Sequence, residues 1–184
     1  MDTQTQRRLQ RFAVTAKSQD FDRDFLRGVD SYEVWDEIEI GASAQAARTY
    51  TITEEDVLIF NRSTLESDPM FVDPEYARAH GGLAIHPCFV VQLGFYCVDT
   101  GFGSWCRTPG ARNPGQHIEL HEEFRIGEVI TLTITHWDKW IRGRSHYMQD
   151  KHEYRNQDGV LKAEWWPQLL LPATRADVEK FAEA

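Results

Sequence analysis

An α+β fold, with a curved antiparallel sheet wrapped around one central helix, is what this sequence predicts. Three observations carry that expectation. Residues 87–98, PCFVVQLGFYCV, are almost wholly apolar, and a short helix that is apolar on nearly every side is a buried one. From residue 117 to residue 171 the chain is rich in β-branched and aromatic residues broken by short turns, the mark of successive strands. Between 53 and 81 lie polar helix starts and a Gly-Gly break, so helices sit in the middle of an otherwise β chain.

Each element has its own signal. Residues 1–28 mix charges with spaced apolar residues such as Leu9, Phe12, Phe21 and Leu26, which predicts an N-terminal helical extension ending near Gly28. The remaining residues, 29–184, read as one domain. Residues 32–40 set Tyr32, Val34, Ile38 and Ile40 against acids and stop at Gly41, which suits a strand; a second short strand is expected over 47–52. Thr53 is a good N-cap, and Glu54, Glu55 and Asp56 fill a first turn where the helix dipole favours acids. Residues 63–73 read as a loop. Asp73-Pro74 starts another helix, with Asp as cap and Pro at the first helical position, and Gly81-Gly82 breaks it. A long Gly- and Pro-rich loop follows the central helix over 99–115. Strands are expected at 117–126, 129–141, 145–157 and 160–171, with Asn156-Gln157-Asp158-Gly159 as a hairpin turn. Thr174 caps a short helix at the C-terminal end.

Composition narrows the partners. At 184 residues the chain is long enough for a sizeable core. Its net charge is -9, and Arg7, Arg8 and Arg11 form its one small basic cluster. Nucleic acid or an anionic membrane would need clustered Lys and Arg, so neither is expected as the main partner. No apolar run reaches the ~18 residues of a membrane span. Cys88, Cys97 and Cys106 lack metal-ligand spacing and read as reduced thiols in a cytoplasmic protein, with Cys88 and Cys97 as packing residues. The alternating faces of 117–123 would place His117, Glu119, His121 and Glu123 together. No matching ligand cluster lies elsewhere, so no metal is expected, nor any other cofactor.

The ordered set TITEEDV, ESDPMFVDPEYA, GGLAIHP, FRIGEVITL and EYRNQDGVL resembles the MaoC-like acyl-thioester hydratases and dehydratases, including the fungal-fatty-acid-synthase-like dehydratase branch. The resemblance runs from about residue 50 to residue 172. It implies the hot-dog fold, a substrate carried as a thioester on coenzyme A or an acyl carrier protein, and edge-to-edge pairing into a homodimer or a hot-dog heterodimer. In active members an Asp and a His, in a loop reading roughly Asp-x-Asn-Pro-x-His, place a water on an enoyl thioester or remove it in reverse. The chemistry needs a base for the water and an acid for the carbon beside the carbonyl. A backbone N–H at the start of the central helix, usually from a Gly after a His, steadies the thioester oxygen.

Mapped here, the Asp position is Glu66, the Asn position is Asp68, Pro69 is kept and the His position is Phe71. His86 is kept at the helix start, but Pro87 follows it and has no N–H. Glu66 is then either the base or an exposed loop carboxylate. Asp68 is either a catalytic partner or the cap of a turn. His86 is either a proton or thioester-oxygen donor or a structural residue. Phe71, Pro87 and Cys88 would line the acyl slot, and Arg142 and Arg144 would meet the phosphates of coenzyme A or phosphopantetheine. Three functions follow from the resemblance: a hydratase/dehydratase of 2-enoyl and 3-hydroxyacyl thioesters, a non-catalytic hot-dog subunit that binds the acyl chain for an active partner, or a thioesterase.

Overall fold

The structure is a computed structural model that describes Lys17 and residues 32–98 and 102–182. Its elements in chain order are β1 (Ser43–Gln45), β2 (Tyr50–Thr51), α1 (Glu54–Ser63), α2 (Pro69–Val72), α3 (Pro74–Ala79), α4 (Phe89–Cys97), β3 (Arg112–Leu120), β4 (Val129–Arg142), β5 (Ser145–Arg155), β6 (Leu161–Leu171) and α5 (Arg175–Ala182). The sheet order is β1-β4-β5-β6-β3, with β2 also paired to β4, and every pairing is antiparallel. This is the hot-dog arrangement expected.

Alternation along the long strands builds the core. Ile130, Leu132 and Ile134 of β4, Met148 and Tyr154 of β5, and Ala163, Trp165 and Leu169 of β6 all point inward and are essentially inaccessible. They close on Phe89, Val90, Leu93 and Cys97 of α4, which are equally buried. Burial pushes the Cys97 thiol up to about 12, so it packs as a small apolar group. Helix and sheet approach closely at Gly94. A Cβ there would stand 2.6 Å from the Tyr154 hydroxyl and 2.8 Å from the Trp165 ring.

Local capping fixes the polar half. Thr53 and Asp56 form a reciprocal capping box at the start of α1. Lys17 joins it through an ion pair with Asp56 and lies 4.5 Å over the Tyr50 ring. The rest of the predicted extension over 1–28 lies outside the described residues. Asp73 caps α3 as expected, accepting from Glu75 and Tyr76.

Several expected elements differ. No strand forms over 32–40. Trp35–Glu37 is a 3-10 turn instead, because the N–H groups of Trp35 and Asp36 bond Pro172 and Ala173, just beyond β6. Of the strand expected at 47–52 only β2 forms, and β1 lies before it at Ser43–Gln45; between the two, Arg48 N–H turns away to the Cys97 carbonyl at the end of α4. The loop at 63–73 contains α2, started by Asp68 and Pro69 just as Asp73 and Pro74 start α3. The expected strand at 117–126 begins at Arg112 and stops at Leu120, where the N–H groups of His121 and Glu122 both bond Lys162. Cys88 is exposed rather than packed.

A buried histidine–carboxylate pair lies inside the core. His136 donates to Asp150 at 2.8 Å and lies 3.5 Å from Glu33. Burial alone would lower its pKa, but those two carboxylates outweigh burial and raise it to about 9. A proton held more tightly in the folded state stabilises fully below the unfolded value near 6.5 and is lost as pH rises through about 9. Urea midpoints should therefore fall between about pH 6.5 and 9, and the His136→Gln protein should lose most of that slope. Gly94→Ala should lower stability by about 1–3 kcal/mol through overpacking, read from the same unfolding curves.

Candidate active site

The site gathers where the acidic segment meets the start of α4. The chain leaves α1 through Leu65, whose φ of 59° is left-handed and turns the backbone sharply toward Glu66. A fully buried amide, Asn61, then ties the parts together. Its Nδ2 donates to the carbonyls of Phe71 (2.8 Å) and Ala84 (2.9 Å), and its Oδ1 accepts from His86 N–H at 3.2 Å. Ala84 N–H also bonds the Met70 carbonyl at 2.9 Å. The acidic segment and the run before α4 are thus held side by side.

Beside them opens a cleft of about 970 Å³. One wall carries Met70, Phe71, Ile85, His86 and Pro87; the other is the β3–β4 connection, with His121, Glu122, Phe124 and Arg125. Its size and mixed lining suit a ligand with an apolar body and a few polar handles. His86 packs against Phe60 and Phe71, with ring centroids 5.8 and 6.5 Å away. Its Nδ1 accepts from Cys88 N–H at 3.1 Å, so Nε2 carries the ring proton.

That bond decides the chemistry of the helix start. Pro87 has no N–H. Cys88 N–H is taken by the His86 ring, and Phe89 N–H is taken by the His86 carbonyl at 2.8 Å. The Cys88 and Phe89 N–H groups are thus already bonded, and the His86 Nε2–H is a donor at this wall of the cleft.

Glu66 is half-buried and does not line the cleft. Its carboxylate accepts from Ser67 N–H (2.8 Å) and Asp68 N–H (3.2 Å). Those bonds, with a smaller pull from the nearby His86 ring, hold it below the usual carboxylate range. Asp68 is exposed and accepts from Met70 N–H as the cap of α2. Glu66 and His86 thus sit within electrostatic reach, while Asp68 is turned to its own helix. Phe71 and Pro87 reach the cleft, and Cys88 does not line it.

Arg142 and Arg144 lie at the β4–β5 hairpin. That is the far end of a 14-residue strand from the cleft, roughly 40 Å along the chain. Within one protomer they do not reach the site. The cation that does is Arg125, which the sequence pattern did not single out; nor did it single out Asn61, an ordinary helix residue until its partners are seen. His121 Nε2–H donates to Glu164 at 2.8 Å, and Glu119, His121 and Glu164 bring their ligand atoms within 4.8 Å of one another. Lys151, 2.6 Å from Glu164, already supplies positive charge there.

Comparison with known proteins places this geometry. Residues 39–164 match the family described as "FAS1-like, dehydratase domain region", so the chain belongs to that family. Over 109 residues it is 28% identical to an (R)-specific enoyl-CoA hydratase of Rhodospirillum rubrum, spanning 55% of this chain and 67% of that protein. The fold is similar to R-hydratase PhaJ1 from Pseudomonas aeruginosa (TM-score 0.60, 18% identity, 77% of this chain and 86% of the other). It is also similar to the HadBC (3R-hydroxyacyl-ACP dehydratase) complex from Mycobacterium tuberculosis (TM-score 0.60, 19% identity, 73% of this chain and 98% of the other). Among the described residues no helix is long and apolar enough to cross a membrane.

Asn61→Ala would strand two carbonyls and one N–H, and an unsatisfied buried group costs about 1–3 kcal/mol. The variant should lose about 2 kcal/mol or more of stability in urea titration, and protease cleavage of the native protein should concentrate over residues 64–87.

Proposed function

We propose that this chain is the acyl-thioester-binding half of a two-chain hydratase/dehydratase unit, whose partner supplies the acid–base pair. The observation that carries this is the helix start. An enoyl thioester gains a nucleophile only if its carbonyl oxygen can take up charge, the task that a backbone N–H at the helix start performs in active members of the family. Here Pro87 has none, and the Cys88 and Phe89 N–H groups are engaged. Phe71 presents an apolar ring where the family places a proton-transferring His. The same features suit binding: an apolar wall from Phe71, Ile85 and Pro87, one donor at His86, and Arg125 for a phosphate. Among the described residues the β3 edge, Arg112–Leu120, pairs only on its β6 side, which suits an edge-to-edge partner.

A second reading keeps the chain active alone, with Glu66 as base and the His86 Nε2–H as donor. It is favoured by their electrostatic proximity and by the hydratase-named relative. Against it, Glu66 is held anionic by two backbone N–H groups and makes a weaker base for that. Crotonyl-CoA separates the two. The purified chain alone should bind it without measurable hydration, and hydration should appear on adding a hot-dog chain that carries the intact Asp and His. Hydration by the chain alone, falling about a hundredfold in Glu66→Gln, would establish the second reading instead.

A further inference from the structure

The second wall of the cleft has an anchor of its own. On β6, Leu161 stands opposite Arg155 and Ala163 opposite Tyr154, and those two partners are consecutive residues of β5. Lys162 is therefore the extra residue of a bulge, and a bulge bends its strand and re-aims a side chain. Lys162 is only 2% exposed. An ammonium taken out of water is costly unless it is paired. Its Nζ donates to Glu128 Oε1 at 3.0 Å, and the Glu122 carboxylate lies 3.7 Å away. Glu128 is itself buried. Its Oε1 also accepts from Asn156 Nδ2 at 3.1 Å, and its Oε2 accepts from the Arg125 N–H at 2.8 Å. Burial alone would raise the pKa of this carboxyl; the Asn156 amide, the Arg125 N–H and the Lys162 ammonium outweigh it and hold it below the usual carboxylate range.

Lys162 thus holds both ends of the β3–β4 connection. Its carbonyl takes the N–H groups of His121 and Glu122, at 2.9 and 3.1 Å, where β3 ends. Its ammonium holds the other end through Glu128, whose own N–H returns to the Arg125 carbonyl at 3.2 Å. The turn over 125–128 is closed in both directions. Gly127 N–H to the Ile52 carbonyl (2.8 Å) and Ile52 N–H to the Glu128 carbonyl (2.9 Å) fasten it beside β2.

Stability alone does not call for a charged pair here, since apolar residues of similar volume often replace a buried ion pair without loss. What they could not do is accept from the Arg125 N–H. Arg125 lines the cleft from this turn. An exposed arginine meets an anion more readily when the backbone that carries it is fixed. We propose that Lys162 is a positioning residue for the ligand: through Glu128 it fixes the turn from which Arg125 meets a phosphate of the thioester's carrier. The assignment rests on the thioester-binding reading above.

Calorimetric titration of the full chain with crotonyl-CoA, run as a double-mutant cycle, tests it. Arg125→Ala should weaken binding about tenfold, the worth of one charge-assisted hydrogen bond. Lys162→Met should weaken it nearly as much, and the two together no more than Arg125→Ala alone, because Lys162 acts through Arg125. Lys162→Met combined with Glu128→Leu removes the whole ion pair, so it covers the case in which Lys162→Met alone does not fold. That apolar pair should keep the native urea midpoint and still bind as weakly as Arg125→Ala. Repeating the cycle with crotonyl-phosphopantetheine identifies the phosphate: the same losses mean the one beside pantetheine, and losses with crotonyl-CoA alone mean one on the nucleotide. An Arg125→Ala or Lys162→Met protein that binds crotonyl-CoA like the native one would overturn the proposal and leave the thioester reading intact. So would losses that multiply, or an apolar pair with native affinity, since Lys162 would then act apart from Arg125 or serve the fold alone. No binding of crotonyl-CoA by the native chain would sink both readings together.

Discussion

One buried amide holds the site together. Asn61 has no exposed surface, and its side chain joins three separate stretches of backbone through Phe71, Ala84 and His86. Neither the acidic segment nor the run from Gly81 to Pro87 has a ladder of its own to hold it; each is short, turn-rich and half exposed. A side chain that satisfies two carbonyls and an N–H at once does for them what strand pairing does for β4 and β5. The position of His86 over the cleft, and the path of the chain into α4, follow from that anchoring.

The site also shows how one substitution reshapes its surroundings. Proline at 87 removes a donor directly. It also leaves the His86 ring folded back on the next N–H, at 3.1 Å from Cys88. A helix start that would otherwise present partial positive charge to a ligand spends it on its own residues. The cleft keeps its volume, its apolar wall and one imidazole donor. On the reading proposed above, a site in that condition holds a thioester rather than driving its hydration.

Much of the fold was legible in the sequence because its signals are local. The uniform apolarity of the α4 segment, the β-branched runs of β4 to β6, the turn at Asn156 and the caps at Thr53, Asp73 and Thr174 each depend on neighbours a few residues away. What was not legible depends on distant partners. Residues 32–40 carry a strand-like pattern, yet Trp35 and Asp36 bond the backbone beyond β6, so a turn forms. The strand expected to reach residue 126 stops early because Lys162 takes two N–H groups in succession. At the site, Glu66, Phe71, His86 and Pro87 could be placed by motif. The role of Asn61 could not, since an Asn in a helix has no pattern that reveals three remote partners. Arg142 and Arg144 drew notice as charges at a turn, and only the length of β4 shows how far they stand from the cleft. The α2 helix was missed although Asp68-Pro69 repeats the signal of Asp73-Pro74; four residues of helix are too few to leave a periodicity.

The account stands on the claim that the Cys88 and Phe89 N–H groups at the start of α4 are engaged within the chain and not free for a thioester. A crystal structure of the protein with crotonyl-CoA in the cleft tests that most directly. The thioester oxygen should lie within hydrogen-bond distance of His86 Nε2, with the Cys88 N–H still bonded to Nδ1 of the same ring. A thioester oxygen accepting from the N–H of Cys88 or Phe89, with the imidazole swung away, would contradict it and return the chain to the self-sufficient hydratases.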